Sequence, residues 1–204
     1  MKGLLYKDCA ILWRQGKMYL FIMLCFSIVP QLSRMGFAMA YAAILPYSVI
    51  AYDEQSKWGR LAIMLPYTDK QLVLSKYILS WAGMLLVMIV SSISRTVDYT
   101  LQGKIVEVIS EYQEVILYVA ASSLFSAIIL PLVFRFGVER GRLAFILAIV
   151  IGVLGVVTAG EFIQSVVQST TIWAILLTAL LLAVIANIIS VLLSQKFFRK
   201  GLRA

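Results

Sequence analysis

The sequence predicts an all-α integral membrane protein with six transmembrane helices, an N-terminal amphipathic interfacial helix and a short cytoplasmic helix. Of its 204 residues, 62% are hydrophobic and only 14% are charged, and the mean hydropathy is +0.94. An ordinary soluble domain is about half apolar and about a quarter charged. A soluble domain of this length could not bury so much apolar surface, so the chain is predicted to lie in a lipid bilayer.

Six continuous apolar runs locate the predicted spans. A helix that crosses a bilayer needs about 20 mainly apolar residues, so six helices use roughly 120 residues. The remainder is too short for a separate soluble catalytic domain, and residues 1–204 are predicted to form a single transmembrane domain. The first run contains Pro30 and Gln31, so the first two runs could alternatively form a kinked hairpin. The predicted spans are about 18–33, 35–52, 72–93, 115–134, 143–160 and 172–193.

Residues 1–17 have the pattern of a helix that lies on the membrane surface. Apolar residues recur there at helical spacing, namely Leu4, Leu5, Cys9, Leu12 and Trp13. Charged residues fill most of the other side, namely Lys2, Lys7, Asp8, Arg14 and Lys17. The segment lacks the long apolar core of a signal peptide. The alternative is a solvated charged tail.

The distribution of basic residues predicts the orientation of the chain. Fifteen of the 18 Lys and Arg residues fall on one side of a six-span layout, and Arg34, Arg95 and Lys104 fall on the other. Loops rich in Lys and Arg stay in the cytoplasm, so both termini are predicted to be cytoplasmic. This asymmetry also accounts for the net charge of +8, and no nucleic acid partner is predicted.

Several chemistries are excluded by missing residues. The chain has no histidine, which excludes His-dependent hydrolytic triads and HExxH zinc sites. The Gly-Lys pairs at 16–17 and 103–104 lack the remaining residues of the GxxxxGK[ST] phosphate-binding loop. Cys9 and Cys25 are too few for a disulfide framework. The chain is therefore predicted to be no enzyme and to hold no metal or cofactor.

The loop after the second span predicts a short helix over about 53–66. Asp53 is a good N-cap, and Glu54 places negative charge in the first turn, where the helix dipole favours it. Pro66 ends this helix, and Thr68 with Gln71 then predicts a capping box at the start of the third span. One face of this helix carries an apolar stripe at helical spacing, formed by Trp58, Leu61, Ala62 and Leu65. From its spacing alone, this helix either rests among lipid headgroups or docks a partner.

This loop carries a family resemblance. The stretch AYDEQSKWGRLAIMLPYTDKQLVLSKYI at 51–78, with the opening MKGLLYKDCAIL, resembles bacterial ABC type-2 transporter permeases. Members of that family often have an aspartate where Gly59 stands. The resemblance implies the membrane subunit of an exporter in the bacterial cytoplasmic membrane. It also implies a second permease subunit, identical or related, and a separate ATPase subunit that holds the ATP and Mg²⁺.

The resemblance also assigns roles within the chain. It implies that the helix at about 53–66 is the coupling helix, which sits in a groove of the ATPase subunit. The candidate contacts are Asp53, Glu54, Lys57, Trp58 and Arg60. The implied cargo is an amphipathic peptide, an antimicrobial or a lipid-like compound.

Three further ionisable residues are candidates for the substrate path. Arg95 and Asp98 lie three positions apart near the outer end of the third span, and Glu161 follows the fifth span. Arg95 and Asp98 could instead form a salt bridge at a helix end. The alternative function is a secondary transporter or a substrate-binding membrane subunit of an uptake system, although secondary carriers usually show inverted repeats that are not visible here.

Overall fold

The computed structural model describes residues 1–28, 36–102, 115–138, 146 and 172–201, and every regular element in these ranges is an α-helix. The helices are α1 (Lys2–Gln15), α2 (Lys17–Ile28), α3 (Gly36–Gln55), α4 (Trp58–Met64), α5 (Asp69–Gln102), α6 (Val115–Val138) and α7 (Ile172–Gly201). The all-α prediction is confirmed for this part of the chain. The predicted fifth span and Glu161 lie outside the described residues.

Three of the described helices are long and apolar enough to cross a membrane, namely α5, α6 and α7. Helices α1 and α2 pass the same test only as a pair, and an 86° bend separates them. Helix α3 does not pass; its 20 residues include three tyrosines, Pro46 and the terminal Asp53 and Glu54. The described ranges therefore contain three such helices, or four with the bent pair, and the count of six stays a prediction.

Helix α3 has many buried residues and packs most extensively on α5. Its small residues Ala38, Ala42 and Ala43 are fully or almost fully buried. On α5, a Cβ at Gly83 would lie 3.3 Å from Leu45 Cδ1 and 3.6 Å from the Ala42 carbonyl oxygen. Small residues at this crossing let the two backbones approach closely, as is common between helices in membranes.

Hydrogen bonds join α5 to α7, and α7 to α6. The Tyr77 hydroxyl lies 2.5 Å from Ser190 Oγ and 2.8 Å from Ser194 Oγ. Ser190 donates its own proton to the Ala127 carbonyl at 2.6 Å, so Tyr77 donates to Ser190 and accepts from Ser194. These polar groups are satisfied within the helix bundle, as burial at membrane depth requires.

One end of the bundle collects four segments that are distant in the sequence. Lys7 of α1 contacts Asp53 of α3, and the Val138 N–H at the end of α6 donates to Glu54. Arg135 lies over the ring of Phe197 near the end of α7. We call this the α4 end of the bundle. All of these segments lie on the same side of the six-span layout that the basic residues predict.

The amphipathic pattern predicted for residues 1–17 needs a correction. Leu4 and Leu12 are buried as expected, but Asp8 is buried between them and Trp13 is 77% exposed. The predicted stripe had placed Asp8 on the polar side and Trp13 on the apolar side. Asp8 can face inward because lysine side chains neutralise its carboxylate there.

The predicted helix boundary at Asp53 is also wrong. Helix α3 continues to Gln55, because the Asp53 carboxylate binds lysines and does not cap a new helix. The chain breaks at Lys57, which adopts the left-handed conformation with φ 52°, and α4 spans only Trp58–Met64. The capping box is confirmed: the Thr68 N–H donates to Gln71 Oε1 at 3.2 Å, and the Gln71 N–H donates to Thr68 Oγ1 at 3.4 Å.

The described helices also differ in length from the predicted spans. The third span was predicted over 72–93, but α5 has 34 residues and is about 51 Å long at 1.5 Å per residue. A hydrocarbon core is only about 30 Å thick, so α5 extends beyond it. In contrast, α2 has 12 residues and begins at Lys17, one position before the predicted first span.

Candidate functional site

Four charged side chains from three helices meet at the α4 end. Lys76 Nζ of α5 lies 2.8 Å from Asp8 Oδ1 and 2.7 Å from Asp53 Oδ2. Lys7 Nζ of α1 lies 2.7 Å from Asp53 Oδ1 and 3.0 Å from Asp8 Oδ1. We call these four residues the charge cluster. Each ammonium contacts both carboxylates, so the cluster is a closed ring of two cations and two anions.

Because members of this ring are buried, their pairing matters for the stability of the fold. The Asp8 side chain is 0% exposed and that of Lys76 is 8% exposed. An isolated charge in such a place is costly, whereas a paired and hydrogen-bonded charge is tolerated. The ring has no net charge, so the removal of one member leaves an uncompensated charge behind.

Lys7 extends the charge cluster to α4. Its ammonium lies over the Trp58 ring, 4.5 Å from the ring centroid. This cation–π contact places the first residue of α4 directly against the ring of charges. Gly3, at the start of α1, lies close to Tyr67, a residue between α4 and α5. A Cβ on Gly3 would lie 3.0 Å from the Tyr67 hydroxyl oxygen. Helix α1 therefore contacts both ends of the α4 segment.

Glu54 ties the end of α3 to the end of α6. Both of its carboxylate oxygens accept from the Val138 N–H, at 3.0 and 3.1 Å. Gly137 has φ +73°, and a Cβ there would lie 3.3 Å from Glu54 Oε1. Glycine suits this position because it adopts positive φ without penalty and leaves room for the carboxylate.

Helix α4 presents an apolar outer face. Ala62 is buried, whereas Leu61 is exposed and Met64 is 82% exposed. Trp58 Nε1 is buried and has no hydrogen-bond acceptor among the described residues. The largest residue of the predicted stripe therefore packs inward, and smaller apolar side chains face outward.

This arrangement separates the residues predicted to contact a partner. Asp53 and Trp58 are half-buried and contact lysines of the charge cluster, and the exposed Glu54 is bound to Val138. Lys57 is exposed. The Arg60 side chain lies outside what the structure describes. The five predicted contacts thus do not form one outward surface.

Arg95 and Asp98 lie far from the charge cluster. Both are half-buried in the last turns of α5. Arg95 follows Lys76 by nineteen positions, or about 28 Å along an α-helix. Their predicted role in a substrate path stays a prediction.

The sequence reasoning missed three of the four members of the charge cluster. Lys76 lies inside the predicted third span, and a charge within a span calls for a counter-ion. Asp8 and Asp53 are acidic residues that the topology places on the same side of the membrane. Asp8 also lies midway between Leu4 and Leu12, and the three buried positions are spaced four residues apart. These signals could have predicted the Lys76–Asp8 pair, while Lys7 required the three-dimensional arrangement.

The comparisons with known proteins gave one finding. A family model described as ABC-2 family transporter protein matches residues 3–199. Neither the curated proteins nor the solved structures gave a match. The matched range includes the charge cluster and the whole of α4.

Proposed function

The chain belongs to the ABC-2 transporter family, and from this membership we propose that it is the permease subunit of an ATP-driven exporter. Because the chain has no phosphate-binding loop, ATP and Mg²⁺ would bind to a separate ATPase subunit. Two permease subunits, identical or related, would enclose the transport path. The apolar composition of such a path suits an amphipathic peptide, an antimicrobial or a lipid-like cargo.

The observation that carries this proposal is the attachment of α4 to the charge cluster. A force applied to α4 would reach α1 through the Trp58–Lys7 contact. The ion pairs of Lys7 and Lys76 with Asp53 would then pass it to α3 and α5. Packed helices and ion pairs are the kind of contiguous network that carries coupling between sites. We therefore propose α4 as the coupling helix.

The outer face of α4 is the part available to the ATPase. Leu61 and Met64 offer exposed apolar side chains for a groove, with Lys57 at the rim. Buried apolar contacts at the centre of an interface dominate its binding energy, and charges at the rim contribute less. Trp58 would act indirectly, because it holds α4 against Lys7.

The α4 end faces the cytoplasm in this proposal. The basic residues predicted to be cytoplasmic reach this end from α1, α5 and the end of α6. A cytoplasmic ATPase could then reach α4. Both termini would lie in the cytoplasm and the protein in the bacterial plasma membrane.

Copurification of the ATPase subunit with Met64→Asp tests this function. A carboxylate at the centre of an apolar groove should reduce recovery of the ATPase at least tenfold, without a loss of permease from the membrane. Leu101→Asp is the matched control, because Leu101 is also 82% exposed but lies at the opposite end of α5. Its complex should form normally.

Two results would overturn the proposal. Normal ATPase recovery with Met64→Asp would remove α4 from the interface. Transport driven by an ion gradient in the absence of any ATPase would instead support the secondary-transporter alternative.

A further inference from the structure

A cleft of about 640 Å³ opens beside α4. This volume falls within the range of about 300–1,000 Å³ that is typical of small-molecule sites. Its apolar lining comes from the ends of several helices and includes Leu4, Ile50, Leu72, Val133, Phe134 and Phe198. Charged side chains line the rest. The cleft therefore offers two chemically different surfaces to one ligand.

The charges of the cleft are not equally available. Lys7, Asp53 and Lys76 belong to the charge cluster, which is neutral as a whole. The Glu54 carboxylate is bound to the Val138 N–H. Lys57 and Arg135 also line the cleft, and neither forms an ion pair with an acidic residue in the described ranges. The available charge is thus positive.

Arg135 is held by two aromatic rings. Its guanidinium carbon lies 5.0 Å from the centroid of Phe136 and 5.2 Å from that of Phe197. Stacking of this kind orients the guanidinium and leaves its N–H groups free to donate. A guanidinium binds a phosphate through two parallel hydrogen bonds, and the flexible Lys57 ammonium can add a second cation.

We propose that this cleft binds the headgroup of an anionic membrane phospholipid. The phosphate would bind Arg135 and Lys57, and the adjoining glycerol and first methylenes would contact the apolar lining. The cleft lies where the spanning helices end, which is the level of lipid headgroups, and basic pockets between such helices suit anionic lipids. A free phosphate would use the cations alone and leave the apolar lining in water.

A bound headgroup would join α6 to the proposed coupling helix, α4. Lys57 precedes α4, and Arg135 lies near the end of α6. The lipid would thus hold α4 towards α6 alongside the Glu54–Val138 bond. This inference goes beyond the proposed function, since it needs no ATPase and is tested on the permease alone.

The test measures lipid binding to the full-length chain purified in neutral detergent. Native mass spectrometry counts the lipid retained, and thermal unfolding is followed with added phosphatidylglycerol, phosphatidylcholine or inorganic phosphate. Phosphatidylglycerol should be retained and should raise the melting temperature, whereas phosphatidylcholine and inorganic phosphate should not. Preferential binding of this kind stabilises the folded state by mass action.

Two variants locate the site. Arg135→Gln and Lys57→Asn should each weaken phosphatidylglycerol binding about tenfold, as loss of a charge-assisted hydrogen bond predicts. Asparagine is chosen because it tolerates the left-handed backbone at this position. Lys70→Gln is the matched control, since Lys70 is an exposed lysine near the same end and does not line the cleft. Melting temperatures without added lipid show whether each variant folds.

Four outcomes would overturn the inference. An equal rise in melting temperature with phosphatidylglycerol and phosphatidylcholine would exclude a headgroup preference. An equal loss of phosphatidylglycerol binding in Lys70→Gln would indicate that the lipid is attracted to the basic surface in general. An equal shift with inorganic phosphate would indicate a free anion site. If the variants bind phosphatidylglycerol normally but lose the ATPase, the cleft instead takes an acidic protein segment.

Discussion

Lys76 and Asp8, which lie 68 positions apart in the sequence, form a buried ion pair with 2.8 Å between Nζ and Oδ1. The pair fixes α1 against α5 at the α4 end. Asp53 and Lys7 complete the ring, so three helices from the first half of the chain depend on one another's charges. The fold at this end therefore relies on electrostatic balance as well as on apolar packing.

Asp8→Asn should lower the free energy of unfolding by about 3 kcal/mol, because it leaves the buried Lys76 ammonium and the half-buried Lys7 ammonium with one carboxylate. Thermal or denaturant unfolding of the purified protein measures the loss. The double variant Asp8→Asn/Lys76→Met should be more stable than Asp8→Asn alone, since Lys7 and Asp53 then remain as a neutral pair. A double variant that loses the sum of the two single losses would show that the charges act independently.

Gly83→Leu should destabilise the protein by about 1–3 kcal/mol, because the larger side chain would separate α5 from α3. Gly59→Ala is a useful contrast. No atom lies within 4 Å of a Cβ at Gly59, so alanine should stabilise α4 by up to about 1 kcal/mol. Unfolding measurements give the free energy of unfolding of both variants. If this free energy changed in the same direction in both, the packing described between α3 and α5 would be contradicted.

The parts of the fold that sequence could predict are those with local causes. The capping box at Thr68 and Gln71 follows from two residues three positions apart, and the structure confirms it. Apolar runs predicted the helices at α5, α6 and α7, because about 20 apolar residues are recognisable without any partner. Their ends were less predictable, since α5 continues through polar residues beyond position 93.

The candidate site was harder to predict because its contacts are long-range. Asp53 has the residue type and position of an N-cap, and only the approach of Lys7 and Lys76 shows why α3 continues past it. Trp58 was predicted, from the family resemblance, to contact a partner. Its actual direction depends on Lys7, which is 51 positions away. Helical spacing defines a face but does not say which neighbour covers it.

The predicted orientation can be tested with single cysteines in a background without Cys9 and Cys25. Lys70→Cys lies at the start of α5 and Thr100→Cys near its end, and both positions are exposed. An impermeant thiol reagent added to intact cells should label position 100 and leave position 70 unmodified until the membrane is opened. The opposite pattern would place the α4 end outside the cell.

Crosslinking from α4 tests the central claim most directly, namely that this helix contacts a separate ATPase subunit. A photoreactive amino acid at position 64 in intact membranes should crosslink to a polypeptide that binds ATP and carries a GxxxxGK[ST] loop. The same group at position 101, which is equally exposed at the other end of α5, should give no such product. Crosslinks from position 64 that reach only lipid, or an ATPase captured equally from both positions, would contradict the claim.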